Sequence, residues 1–298
     1  MKVFLAVLLL FSASGCGLFG PAPVRYEVGT PYQSGGVWRY PREEFGRVET
    51  GLATVYGGLG WLSLFRRTAN GEAQDQGAMA AGHPTLQMPA IALVTNLENG
   101  RQVRVRINDR GPAAPTRSLV VTRRVAALLG AVDPSAIRVR LEVLEAESRA
   151  LAAGQVPETA AVAVVAAPTG GVSSESLALP AGAAQSGRVR LAPAGRAAVA
   201  SGVAVAPTAV PLRLPEVVTQ TAAAPGMLAI ECGGFSSLEY ARVMRGRLAE
   251  LGAEVVTRYG AGQAFVVRVG RYASIAEAEA MLGRVLAAGA PDARIVVE

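Results

Sequence analysis

Three polar residues in the middle of the chain carry most of the chemistry the sequence offers: Glu72 in "RRTANGEAQD", His83 in "AAGHPTL" and Asp109 in "RINDRGP". Cleaving a glycosidic bond requires an acid that protonates the leaving oxygen, and a carboxyl group perturbed by burial or by a second carboxylate is the usual instrument. Each of the three also has a plainer reading. An Asp followed by Arg-Gly-Pro fits a turn, because its side chain can hydrogen-bond its own backbone. Glu72 fits a solvated loop acid, and His83 a hydrogen-bonded structural residue.

Other chemistries are poorly served. One His and two Cys leave a metal site dependent on carboxylates, so no metal is expected. No Gly-x-Ser-x-Gly elbow occurs, and Gly57-Gly58-Leu59-Gly60 is not followed by the Gly-Lys-Ser/Thr that cradles a nucleotide. No cofactor is expected either.

The elements around these residues read as short strands. Ala92 to Leu97 leads into Glu98-Asn99-Gly100, after which Val103, Val105 and Ile107 alternate with Arg104, Arg106 and Asn108, a hairpin signature. Val125 to Leu129 suggests a short helix ending at Gly130, and Ile137 to Leu144 alternates as a last strand. Residues 51–145 therefore read as a small barrel. Residues 146–224 are low-complexity Ala, Val, Pro, Gly and Ser, which suggests a disordered linker with a root-mean-square span of roughly 50 Å. Such a span would let the flanking domains work far apart.

Residues 225–298 contain a repeat. Gly233 to Gly252 aligns without gaps on Gly270 to Gly289, and each unit follows an apolar strand. The spacing predicts a doubled βαβ unit of ferredoxin-like α+β type, a four-stranded antiparallel sheet with both helices on one face and the other face free.

At the N-terminus, Lys2 precedes an apolar run from Val3 to Phe11, too short to span a bilayer at about 20 residues. Residues 1–15 read as a secretory signal and 16–50 as a tether. The 29 basic residues against 23 acidic ones, almost all Arg, favour polyanions generally. Export argues against nucleic acid as a partner. With Cys16 otherwise engaged, Cys232 has no partner and is expected to be a buried thiol.

Taken together the chain resembles the rare lipoprotein A (RlpA) family, described as endolytic peptidoglycan transglycosylases. The resemblance is carried by "VGTPYQSGGVWRYPREEFGRVETGLATVYG", "RRTANGE", "AAGHPTL", "VTNLENG" and "NDRGP" in order. "SASGC" resembles a lipobox, and Gly17 after Cys16 resembles the outer-membrane pattern. The C-terminal repeat looks like a SPOR domain, a module that binds septal glycan stripped of stem peptides. The resemblance implies a mainly β double-psi β-barrel, with Asp109 as acid/base and Glu72 and His83 positioning substrate or tuning it. It further implies lipidation at Cys16, glycan binding by Glu231, Phe235, Arg268 and Tyr272, anchorage in the outer membrane facing the periplasm, a place at the division septum and contact with divisome proteins. The implied reaction cleaves denuded strands to 1,6-anhydro ends; the alternative is a non-catalytic septal peptidoglycan-binding lipoprotein. Three departures bear on that choice: Val120 stands where the family has Asp, Ala113 replaces an aromatic, and Val55 replaces Trp. Glu231 likewise stands in place of Gln.

Overall fold

A computed structural model describes residues 26–57, 66–154, 213–258 and 264–298. A small hairpin, β1 (Tyr32–Ser34) and β2 (Val37–Arg39), precedes six strands that close a barrel. These are β3 (Val48–Val55), β4 (Ala80–Gly82), β5 (Ala90–Asn96), β6 (Arg101–Asp109), β7 (Leu119–Val121) and β8 (Ile137–Val143). They run in the order β4-β7-β3-β8-β5-β6, and β6 pairs back onto β4 to complete the circuit. Two pairings, β3 with β7 and β4 with β6, are parallel; the others are antiparallel.

Period-two alternation puts the apolar residues inside, as strand geometry requires. Val103, Val105 and Ile107 of β6 and Ile137, Val139, Leu141 and Val143 of β8 all join one buried cluster. The expected hairpin forms between β5 and β6, with Gly100 at φ +75°. Helix α1 (Arg123–Leu128) starts at an N-cap Thr122 whose side chain accepts from the Val125 amide, and the chain turns at Gly130 with φ +63°.

The low-complexity segment is ordered at both ends, unlike the free linker its composition suggests. Glu145–Ala152 forms helix α2, whose Ser148 hydroxyl exchanges hydrogen bonds of 3.0 Å with the Ile91 backbone of β5. At the other end, β9 (Val218–Gln220) adds to the open edge of β6, Leu214 is buried in the barrel cluster, and Arg124 pairs with Glu216. Both ends are thus tied to the barrel, and 155–212 lies outside the described residues. A partner strand edge creates this order, so Ala-Val-Pro composition does not announce it.

The C-terminal module has the predicted form. Its strands β10 (Leu228–Phe235), β11 (Ala253–Arg258), β12 (Ala264–Tyr272) and β13 (Arg294–Val297) lie in the antiparallel order β11-β12-β10-β13. Helices α3 (Leu238–Arg247) and α4 (Ile275–Ala287) occupy equivalent places in the two repeats. Leu228, Ile230, Cys232, Val267, Val269 and Ile295 bury one sheet face against Ala241, Leu248, Ala278, Leu282 and Val285. Burial pushes the Cys232 thiol up to about 12, so it stays protonated and inert. The outer edge of β13 is not open: the Thr50 hydroxyl of β3 donates to the Val297 carbonyl at 2.7 Å and accepts from its amide at 3.0 Å. Leu52 of β3, fully buried, joins this module's cluster. In this structure the two domains lie against each other, whereas the linker length suggested separation.

Candidate active site

Strand β6 delivers Asp109 at its last residue, and the following Gly111, at φ +127°, turns the chain away. The carboxylate is buried, and three neutral donors hold it. Oδ2 accepts from the Tyr56 hydroxyl at 3.1 Å, and Oδ1 accepts from the Ala69 amide at 2.9 Å and the Arg110 amide at 2.8 Å. The last of these is the local bond that a turn Asp makes, so the turn and site readings describe the same residue. Its main chain is fixed as well, since the His83 amide donates to the Asp109 carbonyl at 3.0 Å. Tyr56 leaves the end of β3, its amide donating to Val121. Burial, with the Asp109 charge adding to it, pushes the Tyr56 phenol well above its ordinary range, so it remains a neutral donor. Tyr56 was not among the sequence candidates; only its place in "TVYG" beside the site pointed to it.

Glu72 is close to Asp109 through its loop. Its carboxylate accepts from Asn70 Nδ2 at 2.7 Å and Asn108 Nδ2 at 2.8 Å, and it forms an ion pair with Arg106. All four residues are buried, which a charge tolerates only when paired and hydrogen-bonded. Glu72 therefore clamps loop 68–72 onto β6, and that loop supplies the Ala69 amide to Asp109. It is a buried, ion-paired residue that holds this loop, not the solvated acid its loop composition suggested.

His83 faces elsewhere. Its imidazole is buried, Nε2 lies 2.8 Å from Glu49 Oε1, and Nδ1 accepts from the Thr85 and Leu86 amides at 3.1 and 3.0 Å. With Nδ1 occupied as an acceptor, the proton sits on Nε2 and is directed at Glu49. Burial pushes the imidazole pKa down against the pull of Glu49. Burial alone would raise the Glu49 carboxyl, but His83 and Arg47 outweigh it and hold it well below the usual carboxylate range. The structure thus brings Glu72 and Asp109 together and joins His83 to them only through its backbone. The side-chain partner of His83, Glu49 on β3, carried no sequence signal.

Tyr56 stands between two cavities. One, of about 260 Å³, is lined by Glu72, Arg106, Asn108 and, from the returning segment, Arg213 and Leu214. The other, of about 400 Å³, is lined by Tyr32, Thr54, Arg66, Arg110 and Val120, with Val55 and Ala113 also on its wall. All three positions that depart from the resembled pattern, Val55, Ala113 and Val120, therefore face one cavity.

In the C-terminal module, Glu231 is buried at the centre of three arginines. Arg258 Nη2 lies 2.6 Å from both its oxygens, Arg268 Nη2 at 3.0 Å and Arg294 Nη2 at 3.9 Å. Glu231 and Arg268 are direct cross-strand partners. Phe235 and Tyr272 instead pack against the helix-side cluster, each ring lying over a left-handed glycine, Gly233 or Gly270. The four residues expected to bind glycan are therefore split between two environments. Cys16 lies outside the described residues.

A family model described as lytic transglycolase matches residues 48–141, and one described as SPOR domain matches residues 224–296. The chain is 35% identical over 123 residues to a Rickettsia bellii protein named endolytic peptidoglycan transglycosylase RlpA, covering 41% of this chain and 54% of that protein. It is 39% identical over 115 residues to a Campylobacter jejuni protein of the same name, covering 38% and 41%. An Escherichia coli protein of that name is 34% identical over 139 residues, covering 45% and 38%. The chain spans about half the length, or less, of these relatives.

Proposed function

For a chain that belongs to the RlpA family and ends in a SPOR domain, we propose lytic cleavage of the bond between N-acetylmuramic acid and N-acetylglucosamine in peptidoglycan strands lacking stem peptides. The observation that carries the reading is Asp109, a buried carboxyl at a strand end held, among the described residues, by three neutral donors, one of which, Tyr56, lines both cavities. Asp109 gives its proton to the glycosidic oxygen as the anomeric C–O bond breaks. The resulting carboxylate takes the proton of the muramic C6 hydroxyl while O6 bonds to the anomeric carbon. No water is consumed, and Asp109 ends protonated as it began. Tyr56 orients the carboxyl, and Glu72 with Arg106 and Asn108 holds the loop that fixes it. His83 acts through the main chain, its amide holding the Asp109 carbonyl, not by touching the sugar.

The cell envelope is the setting, in contact with peptidoglycan. The finer placement rests on the sequence: a signal peptide to residue 15, lipidation at Cys16, an outer-membrane anchor facing the periplasm, and septal work beside divisome proteins. The SPOR domain supports delivery to glycan, with Arg268, Phe235 and Tyr272 more accessible than Glu231.

A second reading, a septal binding protein without turnover, is favoured by Val120, which puts an isopropyl group in the cavity wall where the family pattern has a carboxylate. Digestion of amidase-stripped sacculi separates the two. The expected result is anhydromuramyl ends from the wild-type chain and none from Asp109→Ala; equal product from both, or none from wild type, overturns the enzymatic reading.

A further inference from the structure

The cavity of about 400 Å³ on the Val120 side of Tyr56 has an unusual charge balance. Arg66 and Arg110 line it, and its described lining contains no Asp or Glu. Arg110 is half-buried and spends its guanidinium on the carbonyls of Val28 and Leu86, which bind it without neutralising it. Glu27 and Asp109 act on it only through space. Arg66 is exposed, and no hydrogen bond or ion pair of its side chain occurs among the described residues. It is near enough to Tyr56 to act electrostatically on the phenol. An Asp at position 120 would have supplied this wall with a counter-charge; Val120 leaves it cationic and partly apolar.

A partly apolar pocket lined by unneutralised guanidinium groups favours an anion, and a carboxylate is the shape a guanidinium binds best. Resting on the reading above, we propose that this cavity is a subsite for the lactyl carboxylate of peptide-free muramic acid, with Arg66 as its ionic partner and Val120 packing on the lactyl methyl. A stem peptide converts that carboxylate to an amide. The site would then distinguish denuded from substituted strands by charge, on the barrel domain and independently of the SPOR domain.

The test uses a soluble denuded tetrasaccharide with its lactyl groups either free or converted to methylamides. In the full chain the free acid is expected to be cleaved with kcat/KM about tenfold above the amide, a ratio falling to about one in Arg66→Gln and partly restored in Arg66→Lys. A second arm needs no turnover: in the ¹⁵N-labelled full chain carrying Asp109→Asn, the Arg66 Nε–H resonance shifts on titration with the acid and not with the amide. An acid-to-amide ratio that Arg66→Gln leaves intact, or an Arg66 resonance that responds equally to both ligands or to neither, overturns the subsite. Absence of turnover in every protein removes the lytic reading alone, because the titration still decides the subsite.

Discussion

Asp109 and Glu49 are both buried carboxylates on barrel strands, and they are held in opposite ways. Glu49 is gripped by the charge of Arg47 on one oxygen and by the Nε2–H of the His83 imidazole on the other. Asp109 is held by a phenol and two amides, with no cation in contact among the described residues. A carboxylate locked to a guanidinium cannot change protonation without losing a buried ion pair, which suits it to structure. One held by neutral donors has no ion pair to break in acid/base work, which leaves that work open to it. Glu72, locked to Arg106, belongs with Glu49 in this respect although it lies in the Asp109 loop.

The largest effects follow from exchanging damage between the two. Asp109→Asn is expected to lower kcat on the order of a hundred- to ten-thousand-fold. Its unfolding midpoint in urea should move little. Glu49→Ala should do the reverse, costing about 1–3 kcal/mol of stability by leaving the buried His83 Nε2–H without its acceptor, while Arg47 keeps Glu44. Turnover per folded molecule should survive. Urea denaturation and an anhydro-end assay on the same preparations read both quantities; a Glu49 variant that folds normally but loses turnover would erase the distinction.

A smaller effect should separate the two sides by pH. Burial keeps His83 below its ordinary pKa of 6.5, so the unfolded chain binds a proton that the folded chain refuses. The stability that His83 contributes is therefore complete above about pH 6.5 and declines as the pH falls below it. Glu49, held low, adds a second decline only below the ordinary glutamate value of 4.5. His83 is the single histidine of the chain, so a loss of thermal midpoint between pH 6.5 and 5 that disappears in His83→Gln identifies it. An unchanged slope in that variant would mean the loss arises elsewhere.

The parts legible in the sequence were those set by local rules. The β5–β6 hairpin was announced by Asn99-Gly100, the C-terminal module by a repeat that places α3 and α4 in register, and the buried Cys232 by its lack of a partner. Glu72 and Asp109 were also visible, as polar residues in turn-like loops. What stayed hidden depends on barrel closure. The Glu49–His83 pair joins residues 34 positions apart, and nothing in "RVETGLATV" distinguishes Glu49 from a solvated strand charge. The return of Leu214 and β9 to the barrel likewise depends on an edge of β6 that β4 leaves uncovered. Tyr56 reads as an ordinary strand aromatic until the fold puts Asp109 beside it.

The smallest effect sharpens the comparison most, because it tests whether the neutral grip on Asp109 matters to the reaction. Tyr56→Phe keeps the ring that walls both cavities and deletes only the hydroxyl donated to Oδ2. The two amide bonds remain, so the carboxyl should stay near its place with one contact fewer. A single neutral hydrogen bond contributes about 0.5–1.5 kcal/mol, so kcat should fall roughly two- to tenfold with KM nearly unchanged. Stability should fall by a similar free energy, since the same bond is lost from the folded state. If kcat instead falls as far as in Asp109→Asn, the phenol takes part in proton transfer itself, and the acid/base is a Tyr56–Asp109 pair. If kcat does not move, the orientation of Asp109 is set by the Ala69 and Arg110 amides alone, and loop 68–72, clamped through Glu72, becomes the element that decides it.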